Sequence, residues 1–566
     1  MDGLELVVVL GATILVGGVV AQRIKVAAPL VLLAFGVGLG FVPGLDSVEL
    51  SSDVVLLLFL PALLYWESLN TSLREIRSNI RTIALLAVGL VLATAAVVAV
   101  IAHAFGLSWP LAITLGAVVA PTDPTAVSSV AGRLPRRVIT TLRAESLVND
   151  GTALVVYSVA VAALVTGDGI DVWRTIVTFF ASYGLGIVVG VVVGFIVVGA
   201  RQFLRNRLLE NTLSVLTPFL AYLPAEAIGV SGVVSVVSAG LLLTQFGPRV
   251  IDAHARLQGA GFWQVTTYLL NGSLFVLIGL EFHRTFRAVI HDDWVTALGL
   301  AGMAIVAVIG VRFLWVNTTP YASKMLDRRK SQQGNHMSFR HRLPIAWAGF
   351  RGAVSLAAAL GIPHSTSSGG GIAERDIVIG VTFAVIAASL VLEGLTMPAV
   401  VRWADLPSDP EEAREEAIAE RAALEGALEA LDATAERLET PDPVREEIRE
   451  EYQRRAERIR REAEEELAQA AAEGEPVPNT DLDPAGQSED ISESQEALQD
   501  VETDELRAEW DSEQADIALR LQLLDAKRSA VLDLRNRREI DDEVMRRVQQ
   551  RFDVEELRLA AIVEDR

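Results

Sequence analysis

A chain of 566 residues with 51% apolar and 21% charged side chains and a mean hydropathy of +0.38 is too apolar for an ordinary water-soluble protein, so much of its surface must be hidden in lipid. The formal charge of −22 is concentrated in one part: residues 1–405 hold 27 Lys and Arg against 23 Asp and Glu, whereas the remaining 161 hold 22 against 48. Neither part offers a coherent basic face for nucleic acid, and the lack of any cysteine excludes disulfides, zinc–thiolate and iron–sulfur centres and thiol nucleophiles.

Thirteen apolar stretches precede residue 405, each a candidate helix for crossing a hydrocarbon core of about 30 Å. They are predicted near 4–21, 26–43, 53–69, 81–105, 109–130, 143–166, 174–200, 208–225, 229–247, 262–282, 294–320, 343–363 and 376–401. The first reads as a span rather than a signal peptide, because Asp2 and Glu5 stand where a basic leader would be and no small-residue cleavage site precedes the second stretch. Lys and Arg are retained on the cytoplasmic side during insertion, and the alternate loops divide twenty against four. The N-terminus is therefore expected outside and the acidic tail in the cytoplasm.

A charge at the bilayer centre costs from about 2.5 kcal/mol upward, which singles out Glu67, Asp123, Glu145, Asp150 and Arg351. Glu67 lies near the cytoplasmic end of the third stretch, in Leu60-Pro61-Ala62-Leu63-Leu64-Tyr65-Trp66-Glu67, and is either a site residue or an interfacial one. The fifth stretch carries Ala120-Pro121-Thr122-Asp123-Pro124-Thr125, whose two prolines each remove a backbone donor and predict a broken helix. Broken helices inside a bilayer are tolerated where they line an enclosed cavity, and their freed carbonyls suit a small cation. The sixth opens on Glu145-Ser146-Leu147-Val148-Asn149-Asp150, where about 100° per residue gathers Glu145, Asn149, Ser146 and Asp150 on one polar arc facing the bundle interior. Hard oxygen donors without imidazole or thiolate favour an alkali cation or a proton over a transition metal.

Arg312, in the eleventh stretch, is read as a snorkelling side chain near a cytoplasmic end. Arg351, in the Gly-interrupted twelfth stretch, keeps its proton and needs a permanent anionic partner, for which Glu145 is the choice. Interrupted helices in the fifth and twelfth stretches point to an inverted-repeat transporter.

Five segments carry a resemblance: Phe59-Leu60-Pro61-Ala62-Leu63-Leu64, Ala120 to Val127, Glu145 to Ala153, Phe350-Arg351-Gly352-Ala353-Val354-Ser355-Leu356 and Glu393-Gly394-Leu395-Thr396. Over roughly residues 1–405 the chain resembles the monovalent cation:proton antiporters of the NhaP and sodium/proton exchanger type. The resemblance implies an all-α polytopic membrane protein of about thirteen transmembrane helices, with inverted repeats, two unwound crossing helices and a homodimer. It implies further that Asp150 binds cation and proton in turn, with Asp123, Ser146, Glu67 and the Thr122 carbonyl as neighbouring ligands of a transported Na+ (or Li+ or K+). Asn149, Glu145 and Arg351 would form a structural cluster beside them. Asn149 ahead of Asp150 implies electroneutral one-for-one exchange, and the resemblance as a whole implies a role in pH and sodium homeostasis at the plasma membrane, with no cofactor. Trp66-Glu67-Ser68 departs from the family's usual small residues around that acid.

The expected domains are a transmembrane exchanger at 1–405, a charged helical segment at 406–473, a linker at 474–494 and a helical tail domain at 495–566. The second has i,i+4 pairs such as Glu450 and Arg454, Glu451 and Arg455, and Glu457 and Arg461, with few recurring apolar positions, and is expected to face solvent. Pro476, Pro478 and Pro484 mark the linker. The last holds amphipathic helices through Leu506, Leu524, Val531, Val548 and Leu557, which form a small bundle or pair across a dimer. Whether this appendage regulates transport, and through which partner, is not readable from its residues. A pore ringed by the same carboxylates is a rival reading, distinguished by measurable current. An intramembrane hydrolase lacks a nucleophile–base pair.

Overall fold

The computed structural model describes residues 3–42, 55–78, 80–123, 136–166, 172–204, 206–292, 294–326, 338–365, 372, 374–406, 410–473 and 502–564. Regular structure among them is helical. In chain order the helices are α1 (Gly3–Ile24), α2 (Ala28–Leu39), α3 (Leu60–Leu69), α4 (Leu73–Ser78), α5 (Ile80–Ala84), α6 (Val91–Ala104), α7 (Trp109–Val119), α8 (Arg136–Thr166), α9 (Val172–Phe203), α10 (Arg207–Ala227), α11 (Gly232–Val250), α12 (Ala253–Asp292), α13 (Trp294–Leu326), α14 (Phe339–Trp347), α15 (Ala353–Leu360) and α16 (Arg375–Ala404). The tail adds α17 (Pro410–Arg437), α18 (Asp442–Glu473), α19 (Glu502–Arg537) and α20 (Asp542–Glu564). Wide π-helical turns, Val55–Phe59 and Leu85–Leu90, lead into α3 and α6.

Every stretch predicted to span contributes a helix. Seven among the described residues are long and apolar enough to cross a bilayer unaided, and four more are apolar but shorter. The other two are α10, which carries Glu210 and Glu226, and the α14–α15 segment, which is interrupted. The chain divides into two compact units, Met1–Leu406 and Pro407–Arg566.

The first unit has one large apolar core drawn from α6, α7, α12, α13, α15 and α16, and a second drawn from α3, α9, α10 and α11. Helices approach closely where side chains are small, as expected when both solvent and interior are apolar. At the α2–α12 crossing, a Cβ on Gly36 would lie 2.2 Å from the Val276 carbonyl, so only glycine permits this contact. Large apolar side chains such as Leu15, Phe180, Ile196, Val265 and Leu298 point outward, the surface a bilayer requires.

The second unit corrects the expectation for residues 411–473. The apolar positions are few, but they align: α17 buries Ala419, Ala423, Leu424, Ala427 and Leu431, and α18 buries Val444, Ile448 and Tyr452, all at i,i+3 or i,i+4 spacing. These stripes pack against Leu519, Leu523, Leu524 and Val531 of α19 and Val544, Val548 and Phe552 of α20. Residues 474–494, expected as a linker, lie outside the described residues. Ion pairs tie the helices together, with Arg520 on Glu451 at 2.7 Å, Arg528 on Asp553 at 2.8 Å and Arg535 on Asp542 at 2.7 Å. Of the i,i+4 pairs read from the sequence, Glu457 and Arg461 meet at 3.2 Å, whereas Glu451 turns to Arg520 and Arg454 donates to the Glu450 carbonyl. The hydrogen bond from Arg520 holds the Glu451 carboxyl below its ordinary value.

Candidate functional site

The site is built where two interrupted helices meet. α7 ends at Val119 and residues 121–123 are not helical, while α14 ends at Trp347 and α15 resumes at Ala353. In a continuous helix the Asp123 N–H would bond the Val119 carbonyl. Here it donates instead to the Phe350 carbonyl at 2.8 Å, and the vacated Val119 carbonyl accepts from Arg351 Nε at 3.0 Å. The Ala120 carbonyl, which Pro124 cannot serve for want of an N–H, lies 3.4 Å from Arg351 Nη2. Each break thus satisfies backbone groups left open by the other, which low-dielectric surroundings demand. Pro124 and Thr125 themselves lie outside the described residues.

α8 crosses this junction. Its polar arc is buried: Glu145, Ser146, Asn149 and Asp150 are each less than a tenth exposed. Asn149 Nδ2 donates to the Thr122 hydroxyl at 2.9 Å and to the Thr122 carbonyl at 3.2 Å, and the Thr122 hydroxyl donates to Glu145 Oε1 at 3.1 Å. On the far side of α8, the Tyr183 hydroxyl of α9 donates to the Val148 carbonyl at 2.9 Å and pairs with Thr152 Oγ1 at 3.1 Å. A Cβ on Gly151 would sit 2.8 Å from that hydroxyl.

Asp150 follows Asn149, whose amide holds Thr122, the residue before Asp123. Glu67, half-buried, arrives from α3, which is held on the second core: Trp66 stacks on Trp263 at 6.4 Å, and Ser68 fills the space over Gly240. The carboxylates therefore come from three separate elements. Among the described residues, no three His, Asp or Glu side chains are close enough to hold a metal ion by themselves.

Two corrections concern the arginines. Glu145 is not the partner of Arg351. It is gripped by Arg312 through both terminal guanidinium nitrogens, Nη1 on Oε1 and Nη2 on Oε2, the latter at 3.1 Å. Arg312 does not snorkel. It is 2% exposed and also donates to the Ile345 carbonyl at 3.1 Å, at the end of α14. The physical reason is length: α13 continues to Leu326, so Arg312 lies well inside it rather than near its end. Arg351 is occupied by backbone carbonyls, those of Val119, Ala120 and Gly349, while its own N–H donates to Ser389 Oγ at 3.2 Å. Sequence reasoning also left Glu393 of α16 unplaced; it is buried beside Gly349 and Arg351. Its signal was present, since it is the one charge between Asp376 and Arg402.

With this geometry in view, the comparisons with known proteins are decisive. The profile of the transmembrane sodium/hydrogen exchanger family matches residues 11–403. The chain belongs to the sodium/hydrogen exchanger family. It is accordingly a multi-span membrane protein and a secondary transporter coupling cation to proton movement, not an enzyme. A protein of Mycobacterium bovis, named as an uncharacterised Na+/H+ exchanger, is 39% identical over 563 residues, 98% of this chain and 96% of the relative. The Na+/H+ antiporter ApNhaP of Aphanothece halophytica is 31% identical over 71% of this chain and 75% of its own. A sodium, potassium, lithium and rubidium/H+ antiporter of Bacillus subtilis is 31% identical over 70% of this chain and 61% of its own. In fold, the chain resembles the sodium proton antiporter MjNhaP1 of Methanocaldococcus jannaschii, with a TM-score of 0.56 at 21% identity, covering 72% of this chain and all of that one.

Proposed function

We propose that this exchanger moves one Na+ against one H+ across the plasma membrane, with Asp150 binding cation and proton in turn. The observation that supports this most is the placement of Asp150, buried on α8 directly after Asn149, which bonds Thr122 in the unwound 121–123 segment. Cation and proton neutralise the same carboxylate and so exclude each other, and a gradient of one drives the other without covalent chemistry. Ser146, one turn from Asp150, together with Asp123, Glu67 and the Thr122 carbonyl would complete an oxygen shell for the ion, which is cargo rather than cofactor. Asn149 carries no charge and spends its amide on Thr122, which supports a one-for-one, electroneutral cycle. The names of the relatives favour sodium, with potassium and lithium as the alternatives.

Access would alternate as the elements carrying Asp123 and Asp150 shift against α3, which carries Glu67 from the second core. A bare carboxylate crosses poorly, which enforces coupling. The twenty-to-four division of basic loop residues supports an external N-terminus and a cytoplasmic tail. A homodimer serving pH and sodium homeostasis completes this reading. Asp150→Asn in proteoliposomes tests it: the variant should fold normally and lose sodium-driven proton flux, and retained flux would refute the assignment.

A further inference from the structure

The two buried arginines leave a charge imbalance. Arg312 and Arg351 are both 2% exposed, and Glu145, which accepts from the Thr122 hydroxyl at the α7 break, is paired with Arg312 through both carboxylate oxygens. Carbonyl oxygens accept from each of the three Arg351 nitrogens but supply no countercharge, and an uncompensated guanidinium in a dry interior is strongly unfavourable. Glu393 is also 2% exposed, and its Oε2 meets no hydrogen-bond donor among the described residues. A buried carboxylate oxygen without a partner requires an explanation.

Gly349 shows how close these groups are. A Cβ built there would lie 3.0 Å from Arg351 Nη1, 3.1 Å from Glu393 Oε1 and 2.9 Å from Arg312 Cδ, so both guanidinium side chains and the carboxylate share the space a side chain would take. Glu393 reaches it from α16, Arg312 from α13 and Arg351 from the unwound segment. The four charges Arg312, Glu145, Arg351 and Glu393 then sum to zero.

We propose that Glu393 is the counter-ion of Arg351 and acts as a positioning residue: it balances the guanidinium charge and keeps it in place, and the guanidinium holds the Val119 and Ala120 carbonyls at the crossing. This goes beyond the exchange reading and does not depend on Asp150 being the exchanging group. Substitution at Gly349 would intrude on the pair, which accounts for a glycine there.

The test is a double-mutant cycle on the full-length protein in detergent, using Arg351→Met, Glu393→Gln and the pair together, read by thermal unfolding. Each single change should lower the unfolding midpoint, and the double should recover at least half of the summed loss, because it removes both charges at once. Additive losses would overturn the proposal. If Glu393→Gln does not accumulate as folded protein, the double variant must restore it, and failure to do so also counts against the pair. Exchange in proteoliposomes adds a charge-specific readout: Glu393→Asp should retain more activity than the nearly isosteric Glu393→Gln, and the opposite order would contradict a role through charge.

Discussion

Replacing Gly352 by alanine probes the crossing with a single carbon atom. Gly352 is extended, with φ −108° and ψ −173°, a conformation open to any residue, so space rather than backbone strain decides the outcome. A Cβ at this position would lie 2.1 Å from Asp123 Oδ2 and 2.7 Å from both Asp123 Cβ and Cγ. Ordinary contact begins near 3.4 Å, so Asp123 would have to retreat by about 0.7 Å at Cβ and by more than an ångström at its oxygen. Its N–H is tied to the Phe350 carbonyl at 2.8 Å, so the retreat must break that bond or distort the crossing. Misplacing a reacting group by about 1 Å costs on the order of 100-fold, and overpacking costs about 1–3 kcal/mol of stability. Gly352→Ala should therefore fold, unfold at a modestly lower temperature, and show sodium-driven proton flux in proteoliposomes reduced by about two orders of magnitude. Flux within about threefold of the parent protein would refute the claim that Asp123 must stand where this glycine lets it stand.

Arg312→Lys keeps the charge but loses the two-pronged grip on Glu145 and the bond to the Ile345 carbonyl, and a hydrogen bond to a charged group is worth about 1.5–3 kcal/mol. Chemical denaturation in detergent should show most of that loss, and an unchanged midpoint would mean that a point charge suffices. In the tail, Glu451 sits below its ordinary value because Arg520 donates to it. A carboxyl so depressed contributes stability above its unfolded value, near 4.5, which is lost as pH falls through the folded one. Hydrogen exchange of the full chain should thus show α18 and α19 losing protection on acidification below that value, with a weaker acid dependence in Glu451→Gln. Identical profiles for the two proteins would remove this pair from the account.

The break at residues 120–123 was legible because proline acts locally: Pro121 and Pro124 lack the N–H a helix needs, whatever surrounds them. The polar arc of α8 was equally legible, since helical periodicity fixes which residues share a face. Partner choice was not. Glu145 and Arg351 looked complementary, but the break frees carbonyls that claim Arg351, and which donor goes where depends on a junction between segments more than 200 residues apart. Arg312 was misplaced because charge patterns locate loops better than they locate helix ends, and α13 runs on past the predicted boundary. Glu393 carried a signal in its isolation within an apolar run. In the tail, alanine and scattered aliphatic residues proved sufficient for a core once aligned, which a search for recurring large side chains overlooks.

The central claim is electroneutral exchange at Asp150, and proton flux through the purified protein in liposomes tests it most directly. Internal pH would be followed in acid-loaded vesicles as sodium or potassium is added outside, with the membrane potential free or clamped. The account predicts alkalinisation on sodium addition at a rate that clamping leaves unchanged, abolished in Asp150→Asn. A flux that scales with voltage, or one that survives loss of the Asp150 carboxylate, would contradict it.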